Sequence, residues 1–182
     1  EVISFSAPAD QQSMVEESIF RYLERESTSV SGRAALSIQL DSTLPPEGYR
    51  LSVRPSGIDV AFADSAGLYY SVATLGQIYQ QSGEGLPALT IKDWPDLKLR
   101  GAMLDISRDK IPTMETLTET IDMLALLRYN HVQLYVEGFS FEYPSYQNVW
   151  ENTETPITGE EILKLQSYAA SRMIELVPNQ NM

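Results

Sequence analysis

The sequence predicts an α/β protein in two parts, a small α+β N-terminal domain at residues 1–94 and the first part of a TIM (β/α)8 barrel at residues 95–182. Three observations lead to this prediction. The first part alternates apolar and polar residues in short runs between two amphipathic helices. The second part carries continuously apolar runs separated by helical patterns, which is typical of parallel β/α units. The periodicity changes near Trp94.

The first part begins with an amphipathic helix. Apolar residues recur at helical spacing from Ser13 to Glu26, which gives the segment one apolar stripe suited to covering a sheet. Three half-buried strands follow, because apolar and polar residues alternate along three short runs. These runs are Leu36–Leu40, Tyr49–Val53 and Ile58–Phe62.

Turn residues separate these strands. Pro45 to Gly48 precede the second strand, and Pro55 to Gly57 join the second strand to the third. The second connection is short enough for a hairpin in which Gly57 takes a positive φ, so the last two strands are predicted to be antiparallel neighbours. Asp64 can cap a second helix, and a further strand is predicted at Leu89–Ile91.

The second part alternates strand and helix. Thr113 follows a proline and can serve as a helix N-cap, while Thr158 and Glu161 fit a capping box in which each satisfies a backbone donor of the other. A sheet of three strands would leave bare edges, so the pattern indicates a barrel cut short. The predicted elements are Leu99–Ile106, Met114–Arg128, His131–Val136, Glu160–Arg172 and Ile174–Pro178.

Composition excludes several classes of function. Thirteen basic and 25 acidic residues give a net charge of −12 without a lysine or arginine cluster, so nucleic acid and anionic membrane surfaces are not expected as partners. No apolar run is long enough to span a bilayer. The lack of cysteine excludes disulfides and thiolate metal sites, and one histidine, His131, cannot form a zinc site of imidazoles.

In β/α barrels, functional side chains lie at the C-terminal ends of strands and in the loops that follow. This rule selects Asp105–Asp109, Glu137–Tyr143 and Asn179–Asn181. From spacing alone, the arginines and the aspartate around the first strand fit either an ion-pair cluster that closes the barrel or contacts with a substrate. His131 begins a strand and is predicted to be a structural histidine at the opposite end.

Glu137 directly follows an apolar strand, and Gly138 after it would allow a ligand to approach the backbone. Glu137 fits a barrel-top carboxylate and a solvated loop glutamate equally well. With Asp105 it forms the single same-site pair available for the two acidic functions of a glycosidase. The aromatic residues of the following loop fit either sugar stacking or a core internal to the loop. They are Phe139, Phe141, Tyr143, Tyr146 and Trp150.

Five motifs follow one another along the chain. They are Glu47–Val53, Gly57–Val60, Asp64–Gln77, Leu86–Pro95 and Arg100–Arg108, the last reading Arg-Gly-Ala-Met-Leu-Asp-Ile-Ser-Arg. Their order resembles the N-terminal α/β domain, linker and first barrel strand of family-20 glycoside hydrolases, which include the bacterial β-N-acetylhexosaminidases. The resemblance covers nearly the whole chain.

The resemblance implies a site and a reaction. In the family, the opening arginine of the first barrel strand grips hydroxyls of the terminal N-acetylhexosamine, and Arg100 takes this role by match. The family's reaction is retaining and substrate-assisted. The sugar's acetamido oxygen attacks the anomeric carbon, an aspartate orients it, and the adjacent glutamate is the general acid. The resemblance implies neither a metal nor an organic cofactor.

Three features depart from the family's pattern. The family's Asp-Glu pair lies on the fourth barrel strand, and no Asp-Glu dipeptide occurs in this sequence, so no catalytic residue is assigned and the chain alone is expected to be inactive. Glu137 replaces adjacent aspartates after the second strand, and Asn179 and Asn181 replace acids after the third. These three residues stay candidates for sugar contact, although the amides cannot act as acid or base.

The resemblance implies an enzyme that removes terminal β-linked N-acetylhexosamine from a glycan or oligosaccharide. A periplasmic or secreted location is expected, with any export signal already removed. The alternative is a non-catalytic carbohydrate-binding or protein-interaction module. The bare strand edges of a partial barrel also favour self-association.

Overall fold

The computed structural model describes most of the chain, namely residues 2–32, 34–83, 85–108, 110–138, 140–150 and 156–181. The chain divides into two compact units, Glu1–Asp96 and Leu97–Met182, and each is described by itself. No helix in the described stretches combines the length and the apolar character needed to cross a membrane.

The first unit is a six-stranded sheet with two helices. Its elements are β1 Ile3–Ser6, α1 Gln12–Leu23, β2 Ser27–Ser29, β3 Leu36–Leu40, β4 Tyr49–Arg54, β5 Gly57–Phe62, α2 Ser65–Ser82 and β6 Leu89–Asp93. The strand order is β2-β1-β3-β5-β4-β6. β1 runs parallel to β2 and β3, β3 runs parallel to β5, and β4 is antiparallel to β5 and β6. The sequence did not predict β1 and β2, because runs of four and three residues are too short to show an alternation.

The predicted hairpin is confirmed. β4 and β5 pair antiparallel from Tyr49 and Phe62 to Arg54 and Gly57. Gly57 has a φ of 140°, a conformation that glycine adopts without the steric cost of a side chain. The predicted cap of α2 is also present, since the Asp64 carboxylate accepts a hydrogen bond from a backbone N–H in the first turn at 2.9 Å.

The core of the first unit lies between the two helices and one face of the sheet. Full burial of an aliphatic or aromatic side chain stabilises the fold by roughly 1.5–3 kcal/mol each. The helices approach closely at Gly76, where a Cβ atom would lie 2.5 Å from the Cβ atom of Tyr22. The fully buried side chains include Phe5, Val15, Ile19, Leu36, Leu51, Val60, Leu68, Val72 and Leu75.

The second unit consists of parallel β/α elements. They are β7 Gly101–Asp105, α3 Met114–Leu126, β8 His131–Glu137, the one-turn helix α4 Gln147–Trp150, α5 Gly159–Ala170 and β9 Glu175–Asn181. The strands lie in the order β7-β8-β9, and both pairs are parallel as predicted. The predicted caps are confirmed: Thr113 accepts from the third backbone N–H of α3 at 3.2 Å, and Thr158 and Glu161 form a capping box.

Side chains alternate between the two faces of this sheet. On the face covered by α3 and α5, Val132, Leu134 and Val136 are buried together with the inward residues of both helices. The opposite face, called here the inner face, carries mostly polar side chains together with Met103 and Val177. Its rows are Gly101-His131-Glu175, Met103-Gln133-Val177, Asp105-Tyr135-Asn179 and Glu137-Asn181.

A charged cluster ties α3 to the end of α5. Arg172 is only 4% exposed and forms an ion pair with Asp122. Its guanidinium carbon lies 3.2 Å from the centroid of the Tyr168 ring, and the Tyr168 hydroxyl donates to the same carboxylate at 2.6 Å. These contacts link Asp122 on α3 to Tyr168 on α5 and to Arg172 just after it.

Candidate functional site

Polar side chains gather where the three parallel strands end. Asp105 ends β7, Glu137 ends β8 and Asn181 ends β9. Because the strands are parallel and in register, these ends lie at one edge of the sheet. The group formed there is called the strand-end cluster, and it consists of Asp105, Ser107, Arg108, Tyr135, Glu137 and Asn181.

Asp105 turns the chain at the end of β7. Its Oδ1 atom accepts hydrogen bonds from the backbone N–H of Ser107 at 3.0 Å, from the Ser107 hydroxyl at 2.9 Å and from the backbone N–H of Arg108 at 3.2 Å. These donors, the Ser107 backbone first among them, stabilise the ionised carboxylate and hold the pKa of Asp105 below its ordinary value.

Arg108 forms ion pairs with carboxylates at the ends of two strands, β7 and β8. Its Nε atom lies 2.9 Å from Asp105 Oδ2, and its Nη2 atom donates to Glu137 Oε1 at 2.7 Å. The guanidinium carbon also lies 5.7 Å from the centroid of the Tyr135 ring. The hydrogen bond to Tyr135 and then that to Glu137 raise the pKa of Arg108. The side chain is 62% exposed, so a ligand can reach it.

Glu137 receives three donors on one oxygen. Its Oε1 atom accepts from the Tyr135 hydroxyl, from Arg108 Nη2 and from Asn181 Nδ2, the last at 3.1 Å. The Tyr135 hydroxyl contributes most to the lowered pKa of Glu137, and Asn181 comes next. The backbone N–H of Glu137 donates to Ser107 Oγ at 2.8 Å. A carboxylate held ionised in this way suits the acceptance of a hydrogen bond better than the donation of a proton.

Arg100 lies at the other end of the sheet. It precedes β7, and its Nε and Nη1 atoms donate to the backbone carbonyl oxygens of Arg128 at 2.6 Å and Leu97 at 2.7 Å. The structure therefore does not bring Arg100 to the strand-end cluster, and the sugar-binding role given to it by the resemblance stays a prediction. The last arginine of the same motif, Arg108, lies where ligands bind in β/α barrels.

The two candidate amides on β9 have different positions. Asn181 belongs to the strand-end cluster, where its Nδ2 atom donates to the Tyr135 hydroxyl at 2.9 Å as well as to Glu137. Asn179 lies lower on the inner face and donates to Gln133 Oε1 at 2.9 Å. The structure thus brings Asn181 to the candidate site, whereas Asn179 links β9 to β8 nearer the N-terminal end of the sheet.

A hydrogen-bonded row continues from Asn179 toward the N-terminal end of the sheet. Gln133 Nε2 lies 3.1 Å from His131 Nε2, and His131 Nδ1 lies 3.4 Å from Glu175 Oε2. Because an amide nitrogen only donates, His131 accepts at Nε2 and carries its proton on Nδ1. His131 therefore has the structural position that the sequence predicts for it, away from the strand-end cluster.

The aromatic loop after Glu137 packs largely on the helix-covered side. Phe141 and Tyr143 meet edge to face with ring centroids 5.9 Å apart, and both line an apolar pocket of about 390 Å³ with Leu134 and Pro178. Burial raises the pKa of Tyr143. The contact between these two rings agrees with a core internal to the loop, while Tyr146 is 55% exposed. Outside the described residues lie Asp109, Phe139 and the side chain of Trp150.

Tyr135 is the residue of the strand-end cluster that the sequence did not select, whereas Ser107 lies within the selected range Asp105–Asp109 but was given no role of its own. Tyr135 stands two residues before Glu137 on the same strand, and the two-residue period places both side chains on one face. Ser107 stands two residues after Asp105, which is the spacing of a side-chain-to-backbone turn. Both signals come from residues close together in the chain. Each can be interpreted only when the residue at which its strand ends is known.

Comparisons with known proteins agree with this architecture. The model of glycosyl hydrolase family 20, domain 2, matches residues 2–94, and that of the family's catalytic domain matches residues 97–182. A beta-hexosaminidase of Akkermansia muciniphila is 30% identical over all of this chain and 41% of its own length. One from Vibrio furnissii is 29% identical over 81% of this chain and 28% of its own length.

A solved structure shows the same arrangement of elements. The β-N-acetylhexosaminidase of Bacteroides fragilis superposes with a TM-score of 0.85 at 27% identity, covering 97% of this chain and 40% of that one. The predicted fold class, an α+β domain followed by the start of a β/α barrel, is thereby confirmed. Matches to both family models, in order and across nearly all 182 residues, show that the chain belongs to glycosyl hydrolase family 20.

Proposed function

We propose that the protein is a β-N-acetylhexosaminidase that removes a terminal β-linked N-acetylhexosamine from a glycan or oligosaccharide. One relative that matches the whole chain is a beta-hexosaminidase, and the superposed structure is a β-N-acetylhexosaminidase. The observation that carries the proposal is the strand-end cluster. It places one guanidinium and two ionised carboxylates at the C-terminal ends of parallel strands, where β/α barrels bind their substrates.

In this proposal Arg108 and Glu137 bind hydroxyls of the terminal sugar. A guanidinium donates hydrogen bonds to hydroxyl oxygens, and an ionised carboxylate accepts from hydroxyl protons, so the pair is complementary to a neutral sugar. Asp105 and Ser107 fix the turn that carries Arg108. Arg100 stabilises the opposite end of the first strand through the carbonyl oxygens it binds.

The chemistry proposed is that of the family, retention through the sugar's own acetamido group. The acetamido oxygen attacks the anomeric carbon from the face opposite the leaving group, and the leaving-group oxygen takes a proton from a general acid. Water then attacks the anomeric carbon from the face that the leaving group left and gives a proton to the conjugate base of that acid, which reopens the acetamido group and retains the β-configuration. The aspartate and glutamate of this step form an Asp-Glu pair, which these 182 residues do not contain. The chain alone is therefore expected not to catalyse the reaction.

The test uses an aryl N-acetyl-β-glucosaminide and two samples, the protein as its reading frame encodes it and the 182-residue chain. We expect the first to release the aryl alcohol and to give the β-anomer as first product in a proton NMR time course, and the second to be inactive. Turnover by the chain alone would overturn the assignment of the acid pair. Sugar binding by the encoded protein without turnover would favour a carbohydrate-binding module.

A further inference from the structure

The Glu137 carboxylate is held asymmetrically. Among the described residues, every hydrogen bond donated to this group goes to Oε1, from Tyr135, Arg108 and Asn181. The side chain is 42% exposed, and its backbone is fixed through Ser107 Oγ. Three converging donors define where Oε1 lies, and the position of Oε2 follows from the planar geometry of the carboxylate. The second oxygen, Oε2, thus accepts no hydrogen bond from the described residues and can accept one from a ligand.

The donors at Tyr135 and Asn181 depend on each other. Asn181 Nδ2 lies 2.9 Å from the Tyr135 hydroxyl oxygen and 3.1 Å from Glu137 Oε1, so one amide group donates to both. The phenol accepts from the amide and turns its own proton to Glu137. A carboxylate at position 181 would have no proton to give and would stand against Glu137 at about the same distance, which like charges disfavour. The residue type at 181 therefore decides whether this third donor to Glu137 is present.

We propose that Tyr135 and Asn181 are positioning residues for substrate binding, which orient Glu137 so that its Oε2 atom accepts a hydrogen bond from one hydroxyl of the terminal sugar. This inference rests on the proposed function. It adds that the site selects a sugar with a neutral hydroxyl at the position that faces Glu137 Oε2. A substituent that lacks a proton to donate, such as a methoxy or carboxylate group, is excluded by the same oxygen.

Kinetics on the encoded protein test the proposal. Tyr135→Phe keeps the ring beside Arg108 and removes the hydroxyl, and Asn181→Asp removes the amide donor. Each is expected to raise KM for an aryl N-acetyl-β-glucosaminide about tenfold with kcat changed less than twofold, because binding in the ground and transition states is lost equally. Tyr168→Phe removes a tyrosine hydroxyl from a different carboxylate, that of Asp122, and should leave KM unchanged.

Substrate analogues provide the sharper measurement. For the monodeoxy N-acetylglucosaminide that lacks the hydroxyl bound by Glu137, wild type and Tyr135→Phe should have equal KM values, so the tenfold difference disappears for that analogue alone. A difference that persists for every monodeoxy analogue would overturn the proposal, because it would show a general structural effect. So would a Tyr135→Phe variant with the wild-type KM.

A second readout separates this proposal from the proposed function. Carbon-13 NMR titration of the Glu137 carboxyl in the encoded protein should show a pKa below the ordinary value that rises in Tyr135→Phe and in Asn181→Asp, but not in Tyr168→Phe. If no N-acetylhexosaminide is hydrolysed while this pattern holds, the proposed function fails and the positioning of Glu137 stands. If the Glu137 pKa is unmoved in both variants, the positioning itself is wrong.

Discussion

The two ends of the β7-β8-β9 sheet use arginine in different ways. At the N-terminal end, Arg100 donates to the backbone carbonyl oxygens of Leu97 and Arg128. At the C-terminal end, Arg108 pairs with the carboxylates of Asp105 and Glu137 and is largely exposed. The guanidinium of the first arginine is bound to backbone carbonyl groups, and that of the second is open to solvent beside two carboxylates. The difference shows that strand direction, not residue type, decides which arginine of a motif is available for binding.

The largest expected effect concerns Arg108. Arg108→Ala in the encoded protein should lower kcat/KM for an aryl N-acetyl-β-glucosaminide roughly hundredfold or more, because the charged donor to the sugar is lost. Arg108→Lys keeps the charge without the planar fork and should recover only part of the loss. Steady-state kinetics measure both. Wild-type kcat/KM in Arg108→Ala would remove this residue from the site.

Arg100 is expected to show the opposite pattern. Arg100→Ala leaves two carbonyl oxygens without their charged donor and should lower the free energy of unfolding by about 2 kcal/mol. The folded protein should keep kcat/KM within twofold of wild type. Urea denaturation and kinetics on the same preparation check the two statements. A large loss of kcat/KM at unchanged stability would support the sugar-binding role predicted from the sequence.

The strand-end cluster should also respond to acid. The pKa of Glu137 is lowered from 4.5 and that of Asp105 from 3.8, so both stabilise the fold fully above these values. This contribution is lost as the pH falls through the lowered pKa values of the folded state. Thermal melts from pH 6 downward should therefore show a decline below about pH 4.5 that is shallower in Glu137→Gln. An identical decline in the variant would contradict the ion-pair geometry.

The smallest effect is expected at Glu175. Its carboxylate lies 3.4 Å from His131 Nδ1 and is 75% exposed, so solvent screens the interaction. Glu175→Gln should change the free energy of unfolding by less than about 0.5 kcal/mol and leave kcat/KM unchanged. Chemical denaturation detects a larger loss, which would mean that the N-terminal end of the inner face depends on this charge.

Much of the fold follows from local signals in the sequence. The hairpin at Gly57, the cap at Asp64 and the capping box at Thr158 each depend on residues close together in the chain, and all three are present. The alternation of apolar strands and helices also predicts parallel pairing correctly. β1 and β2 escape prediction because short strands are stabilised by partners distant in sequence, which leave no local pattern.

The candidate site is predicted less completely. Glu137 and Asn181 follow from the rule that functional residues lie at the C-terminal ends of strands. Matching a motif by order assigns the sugar contact to Arg100, because order alone does not show where the strand begins. The register places Gly101 opposite His131 at the N-terminal end of the sheet. Arg100 therefore lies beyond the N-terminal end of β7, and Arg108 lies beyond its C-terminal end. Tyr135 is missed because an aromatic residue within a strand is normally interpreted as a core residue, unless the face of the sheet that carries its side chain is known.

The sugar contacts proposed for Arg108 and Glu137 are tested most directly by a crystal structure of the encoded protein with N-acetylglucosamine bound. We expect sugar hydroxyls within about 3 Å of the Arg108 guanidinium and of Glu137 Oε2, with Tyr135 and Asn181 still on Oε1 and Arg100 remote from the sugar. A sugar bound without contact to either Arg108 or Glu137 would contradict this expectation.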